Sequence, residues 1–558
     1  MKEDGVFVQM HNGIAAEKHP KFSLISPRKH FLPISGTNKG VLISPRNNFF
    51  VVQGKIKGYL FIRERSFLYL CGKIKTGKMS DIIGRSTEIE ELMRLYRGSR
   101  PEFVAVYGRR RVGKTYLIKE LFMDKMAFYH TGMSPMDTEN ANILQDQLKS
   151  FYNSLVSYGW EPSEPPKSWL EAFYMLMKLL ESKADKKRQV VFIDELPWMD
   201  TPRSRFLSAL EYFWNSWGSG RDNLMLIVCG SATSWMENNL INNYGGLYGR
   251  LTYEIKLYPF TLGECEAYFK ANDLRLNRYD IIQAYMAVGG IPYYLGFFRK
   301  GLSLGQNLDL LFFAKNAKLK NEFNRLFASL FTKPTDYKKI VSLLATKHSG
   351  FTRDEIASAT GIQKGGGFSK MLAALEASDF ITRYVPFGCS KREEHYKLVD
   401  NFCLFHSKFV ANGDITDPEF WEKNQNAQRL SAWKGIAFEE VCLSHIQQIK
   451  NALGIGSVTS SESAWSLRGD DETEGTQIDL LIDRADRVVN LCEMKFYKDE
   501  FTIDKAYDAK LRHRTQTLID RLPRNRNVHL TLITTYGLTY NEYFGQIQQL
   551  VTMDALFG

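Results

Sequence analysis

The chain has 558 residues, with 73 Lys+Arg against 62 Asp+Glu, and a formal net charge of +11. That length exceeds one hydrophobic core and predicts roughly three to four domains. With 44% hydrophobic and 13% aromatic residues the composition excludes a wholly disordered chain. No run of 18 apolar residues occurs, which excludes a membrane span as an expectation, and no apolar leader followed by small residues opens the chain. The seven cysteines are scattered, never spaced as CxxC, and argue against a disulfide framework or a zinc site. A cytoplasmic protein without a membrane partner is expected.

The positive charge is unevenly placed. Residues 1–78 hold 14 basic and 4 acidic residues, leaving 59 basic and 58 acidic residues for the rest. The main body is therefore near neutral, so a nucleic-acid surface there has to be a local patch. Residues 1–78 lack sustained periodicity and repeat Leu24-Ile-Ser-Pro-Arg in Leu42-Ile-Ser-Pro-Arg46. They read as a basic tail, either disordered or lying upstream of a true start at Met79. A basic arm for nucleic acid or an anionic surface is the other reading.

From residue 79 to 260, short apolar runs alternate with helical patterns, as in an α/β domain with a parallel sheet. Strands are predicted at Glu102–Tyr107, Gln189–Ile193 and Leu224–Cys229, and a helical lid over 261–332. Residues 333–411 read as three short helices and a hairpin, a winged helix-turn-helix pattern, with Thr352-Arg-Asp-Glu355 as a capping box and Gly361 as a stop. A Gly/Asn/Asp/Pro-rich stretch over Asn412–Pro418 leads to a last α/β domain at 427–558. There a helix is predicted at Gly435–Ile449, a hairpin at Gln477–Asp483 and Val488–Tyr497, and a strand at His529–Thr534.

Gly108-Arg-Arg-Arg-Val-Gly-Lys-Thr115 fits G-x-x-x-x-G-K-[ST] at every fixed position. Backbone amides from Gly108, Arg109, Arg110, Arg111, Val112 and Gly113, with the helix opening at Thr115 and Tyr116, are expected to cradle phosphates. Lys114 is expected to reach the β- and γ-phosphates, and the Thr115 hydroxyl to ligate Mg²⁺. Val190-Val-Phe-Ile-Asp-Glu195 is an apolar strand ending in two carboxylates. Asp194 is expected to hold Mg²⁺ through water, and Glu195 to polarise the attacking water. Ser231, at the end of the next strand, is placed for the γ-phosphate or that water; a turn residue is the plainer reading. The implied cofactors are ATP and Mg²⁺.

These segments, with Gly249-Arg-Leu-Thr252 and Gly290-Ile-Pro292, follow the order seen in AAA+ ATPases and resemble the archaeal-type ATPases allied to STAND signalling ATPases. The resemblance implies that Ile82-Ile-Gly-Arg-Ser-Thr-Glu88, through Gly84 and Arg85, flanks the adenine, and that Pro292 belongs to a lid turn near the base. It also implies that Arg250 senses the γ-phosphate across a subunit boundary in a homo-oligomer. A structural arginine is the alternative.

In the last domain, period-2 alternation puts Glu493 and Lys495 on one strand face and Cys492 and Met494 on the other. Asp479 on the preceding strand is expected to converge with Glu493 on Mg²⁺, and Lys495 to stabilise an attacked phosphate or orient water. With Glu439 (or its neighbour Glu440) on the preceding helix, this set resembles the PD-(D/E)XK nuclease superfamily. The resemblance implies a restriction-endonuclease-like fold, with binding duty as the alternative to cleavage. DNA contact by the winged-helix pattern would use Lys364, Lys370, Lys391 and Arg392, although Glu376, Glu393 and Glu394 lie close in sequence, and no set for base reading is presented. Two functions remain: an ATP-hydrolysing switch with DNA-binding and nuclease-like modules, or a non-catalytic scaffold that binds nucleotide and recruits a protein. A small-molecule kinase is a weaker third reading.

Overall fold

The unbroken apolar runs of the sequence become the strands of a parallel sheet: β1 (Glu102–Tyr107), β2 (Met126–Thr131), β3 (Gln189–Asp194), β4 (Leu224–Gly230) and β5 (Tyr253–Lys256). Every residue of β1, β3 and β4 is buried, because helices cover both faces of these strands. The strand order is β5-β1-β4-β3-β2, with all neighbours parallel. On one face Val104, Val106 and Phe192 pack with Leu92, Leu95 and Ile118. On the other, Phe103, Ala105 and Val191 pack with Trp169, Phe173 and Phe206. Because β4 sits between β1 and β3, the C-terminal ends of all three open on one crevice, the usual ligand position in such sheets.

The computed structural model describes residues 82–558 except 135–142, 184–186, 243–244 and 468–474, and in residues 1–81 only the backbone of five short strands. Val8–Met10 pairs with Phe22–Leu24, and Val41–Ile43, Phe49–Gln53 and Tyr59–Arg63 form an antiparallel trio. These pairings depart from the expectation of 1–78 without regular elements; they are formed by brief β-branched and aromatic runs too short to show a period. The rest of that segment, Met79 and most of the sequence repeat lie outside the described residues.

After the sheet come helices Leu262–Ala271, Arg278–Val288, Pro292–Leu295 and Leu304–Phe312, in the span expected for a lid. Thr261 and Glu264 form a capping box at the first of them. The segment Met553–Phe557 packs against this group: Arg278 Nη1 lies 2.8 Å from Asp554, its guanidinium is 4.7 Å from the Phe557 ring, and Leu556 is fully buried. A Cβ on Gly263 would stand 2.5 Å from the Phe557 carbonyl oxygen, so only glycine lets the two backbones meet.

Residues 334–398 hold helices Pro334–Leu344, Arg353–Thr360 and Gly366–Ala377 and strands β6 (Phe351–Thr352), β7 (Ile381–Tyr384) and β8 (His395–Leu398), ordered β6-β8-β7. Thr352 and Glu355 make the expected capping box, and Gly361 stops the helix at φ 71°. Helix Phe420–Asn424 follows the Gly/Pro-rich stretch and is held by Asp309, which accepts from Trp421 N (2.7 Å) and Glu422 N (3.0 Å).

The last sheet has β9 (Ser460–Leu467), β10 (Thr476–Arg484), β11 (Val488–Lys495), β12 (Asn527–Thr534) and β13 (Gln549–Thr552) in sequential order. Pairs β9/β10 and β10/β11 are antiparallel, and β11/β12 and β12/β13 parallel. The single helix predicted at Gly435–Ile449 is two, Gln428–Ser444 and Ile446–Ala452. The break falls at His445, whose Nδ1 donates to the Val441 carbonyl (2.8 Å) while Nε2 accepts from Leu262 N (2.9 Å). Among the described residues no helix is long and apolar enough to cross a membrane.

Burial pushes His130, His406 and His445 down to about 4. Each is neutral in the fold and takes a proton near pH 6.5 once unfolded, so the unfolded state binds more protons below that pH. Stability contributed by the neutral form is full above pH 6.5 and falls between 6.5 and 4, by up to about 3 kcal/mol per histidine. Denaturation at stepped pH is expected to show this decline. His445→Gln should lower the slope across that window by about 1.4 kcal/mol per pH unit, one proton's worth.

Candidate nucleotide site and a second side-chain cluster

The loop between β1 and helix Lys114–Phe122 is built from backbone that ordinary residues avoid. Gly108 has φ 130° and Arg111 φ 74°, and a Cβ on Gly108 would lie 2.4 Å from the Leu257 carbonyl oxygen of the segment after β5. Glycine is therefore required twice over at position 108. Lys114 is buried, and its ammonium donates to the carbonyls of Gly108 (3.0 Å) and Arg109 (2.9 Å), so it is held across the mouth of the loop. The Thr115 hydroxyl donates to Asp194 Oδ2 at 2.8 Å. A hydroxyl and a carboxylate in that contact suit a divalent cation that also touches phosphate, the chemistry expected of Mg²⁺.

Glu195 follows β3 in left-handed backbone (φ 49°) that turns its carboxylate toward β4. There it accepts from the Ser231 hydroxyl (2.8 and 3.1 Å) and more weakly from Ser231 N (3.3 Å). Ser231 thus orients Glu195. Strained backbone at 85, 111 and 195 gathers around one crevice, as functional sites commonly do.

Arg85 ties the opening motif to the loop. Its Nη2 donates to the carbonyls of Val112 (3.2 Å) and Tyr258 (2.6 Å), its backbone N donates to Glu264 (2.9 Å), and its guanidinium lies 4.7 Å from the Phe260 ring. Phe260 N in turn donates to the Gly290 carbonyl (2.8 Å), so Gly84–Arg85 and the turn before Pro292 meet through Phe260. Arg250 is exposed, and its backbone N donates to Leu247 O (3.1 Å). Tyr116 is 54% exposed at the first turn of its helix.

The side chains of the three consecutive loop arginines leave the crevice. Arg109, 2% exposed, pairs with Asp400 and lies 4.8 Å from the Phe380 ring. Arg110 reaches the Ser329 carbonyl (3.5 Å) and lies 5.3 Å from the Trp198 ring. Arg111 pairs with Glu322 and lies 4.6 Å from the Tyr293 ring. Sequence reasoning assigned these positions to phosphate through their backbone and missed what their side chains hold.

In matches to known proteins, residues 82–298 fit the model of a family described as an ATPase domain predominantly from Archaea. Residues 82–298 thus match an archaeal-type ATPase domain. The sequence is 26% identical over 365 residues to an uncharacterised protein of Methanocaldococcus jannaschii, covering 64% of this chain and 76% of that one. Among solved structures, the Walker-type ATPase PABY2304 of Pyrococcus abyssi is similar at TM-score 0.42 and 19% identity, over 59% of this chain and 96% of that one. The ORC2 protein of Aeropyrum pernix is similar at TM-score 0.36 and 14% identity, over 60% and 95%. The ATPase domain accounts for the parallel sheet, the Lys114 loop and the Asp194 strand.

Outside the ATPase domain, the four residues singled out near the C-terminus fall into two groups. Glu493, buried, accepts from Tyr507 OH (2.6 Å), pairs with Arg514 and lies 3.4 Å from Lys495. Tyr507 and Arg514 both come from helix Lys505–Ile519, on the β11 face opposite Cys492 and Met494. Asp479, by contrast, is gathered with Glu439 and with His348 from the 333–411 module, ligand-type atoms of all three lying within 4.8 Å of one another. Gln477 Nε2 donates to Asp479 Oδ1 at 2.7 Å. Burial raises the Glu439 carboxyl and the nearby Asp479 adds to this, while the His348 bond opposes it. Glu440, the alternative to Glu439, is 2% exposed, pairs with Lys397 and lies 3.4 Å from His348 Nδ1. No sequence signal pointed to His348, in a loop between two helices. A 930 Å³ cavity touches this cluster and is lined by Arg109, Phe260, His348, Asp400, Glu440 and Asp479.

Proposed function

We propose that the chain is a Mg²⁺-dependent ATPase that works as a nucleotide-governed switch. The observation that carries the reading is the 2.8 Å contact of Thr115 with Asp194, beside Lys114 and the Ser231-oriented Glu195. In it Lys114 and the loop amides bind the β- and γ-phosphates, Thr115 and Asp194 hold Mg²⁺, and Glu195 polarises the attacking water. Arg250, exposed on its loop, serves as the γ-phosphate sensor of a neighbouring copy in a homo-oligomer. Residues 333–411 act as a winged helix that contacts DNA phosphates without reading sequence, and residues 427–558 form the nuclease-like effector. The partition of Asp479 from Glu493 favours binding over cleavage there, which keeps the scaffold as the second reading.

Glu195→Gln separates the two. It keeps the shape and the Ser231 hydrogen bond but removes the charge that polarises water. ATP turnover is expected to fall at least about 100-fold with ATP affinity kept. Equal turnover in both proteins would remove Glu195 from the mechanism. ATP binding without turnover in the wild type would favour the scaffold.

A further inference from the structure

We infer that His348, Glu439 and Asp479 form a binding site for a divalent first-row metal, Zn²⁺ or Mn²⁺, that clamps the 333–411 module to the C-terminal domain. This site is separate from the nucleotide Mg²⁺ and does not rest on ATP hydrolysis. Its three groups come from three elements: the loop before β6, helix Gln428–Ser444 and β10. Their ligand-type atoms lie within 4.8 Å of one another, and His348 Nε2 is 2.7 Å from Glu439 Oε2. An ion with bonds of about 2.0–2.2 Å spreads tetrahedral ligands to about 3.3–3.6 Å, inside the range these atoms already occupy.

A second, independent feature points the same way. His348 offers Nε2 to the cluster while its Nδ1 faces the buried carboxylate of Glu440 at 3.4 Å. An outer carboxylate behind a metal-binding imidazole is the arrangement that fixes tautomer and ring once the ring N–H closes on it. Glu440 is 2% exposed and its Oε2 has no hydrogen-bond partner. It lines the same cavity as His348 and Asp479, a space large enough for water or a phosphate oxygen beside the cluster. Lys397 pairs with Glu440 and lies 3.3 Å from His348 Nε2. The Lys397 and Glu440 charges offset each other, leaving Glu439 and Asp479 as two carboxylates to be neutralised. One imidazole and two carboxylates suit Zn²⁺ or Mn²⁺ better than Mg²⁺, which prefers oxygen and retained water.

The test uses the full chain, stripped with chelator and offered Zn²⁺ or Mn²⁺ without nucleotide, with metal measured by elemental analysis after gel filtration. Wild type and Thr115→Ala are expected to retain one equivalent. His348→Gln and Asp479→Asn are expected to retain none, and Glu440→Gln to bind about 10–100-fold more weakly. Asp479→Asn keeps an oxygen for Gln477, so thermal unfolding near wild type certifies its fold. Retention of a full equivalent by Asp479→Asn, or by neither it nor the wild type, overturns the assignment. Loss of the metal in Thr115→Ala also overturns it, since the ion would then belong to the nucleotide crevice.

Discussion

Lys114→Ala is expected to abolish ATP binding at micromolar nucleotide and hydrolysis with it. The ammonium is buried at the mouth of the loop, where its two carbonyl partners fix it beside the phosphate cradle. A charge-assisted hydrogen bond contributes about 1.5–3 kcal/mol, and Lys114 is placed to make more than one to the β- and γ-oxygens. Affinity should therefore fall by roughly 100-fold or more. Titration calorimetry with a slowly hydrolysed ATP analogue measures this directly. Thermal unfolding in the absence of nucleotide should change little, because the loop is held independently by Arg85, Arg109 and Arg111. Unaltered affinity would show that the crevice at the ends of β1, β3 and β4 is not where ATP binds.

Asp400→Ala is expected to be the most destabilising single change outside the apolar cores. Its carboxylate meets the guanidinium of Arg109 where both are almost wholly buried, and it also accepts from Cys403 N (2.7 Å) as the cap of helix Asn401–Phe409. Removing one member of such a pair strands the other charge away from water, at a cost of about 3–5 kcal/mol. Loss of the cap adds about 1 kcal/mol. The double variant Arg109→Met/Asp400→Ala should recover most of the pair's loss, since apolar replacement of both partners removes the stranded charge. Chemical denaturation of the four proteins of this cycle checks the prediction. If Asp400→Ala and the double variant are equally unstable, the cap, not the pair, carries the effect.

Much of this was legible in the sequence because the determinants are local. The Lys114 loop, the apolar strand ending at Asp194 and the capping box at Thr352 each declare themselves within eight residues. The sheet edges were not: β2, β5 and β13 are short or only partly buried, so their apolar content stays below what a period can reveal. The break at His445 was hidden for another reason. It depends on a hydrogen bond to Leu262, from a different part of the chain, and helical propensity alone runs straight through it. The same holds for the second cluster. Asp479 and Glu439 were picked out as acids, but the alternation that put Glu493 opposite Cys492 could not say that Arg514 and Tyr507 would engage it. Nor could it say that His348 would arrive from another module.

The closure of Met553–Phe557 over helix Leu262–Ala271 has a consequence for biosynthesis. During translation helices Leu262–Ala271 and Arg278–Val288 emerge from the ribosome long before the segment that buries Leu556 and receives Arg278. The surface around Gly263 therefore stays wet until residues 553–557 have been made. A nascent chain cannot complete the packing of helix Leu262–Ala271 early, so its final form waits for residues 553–557.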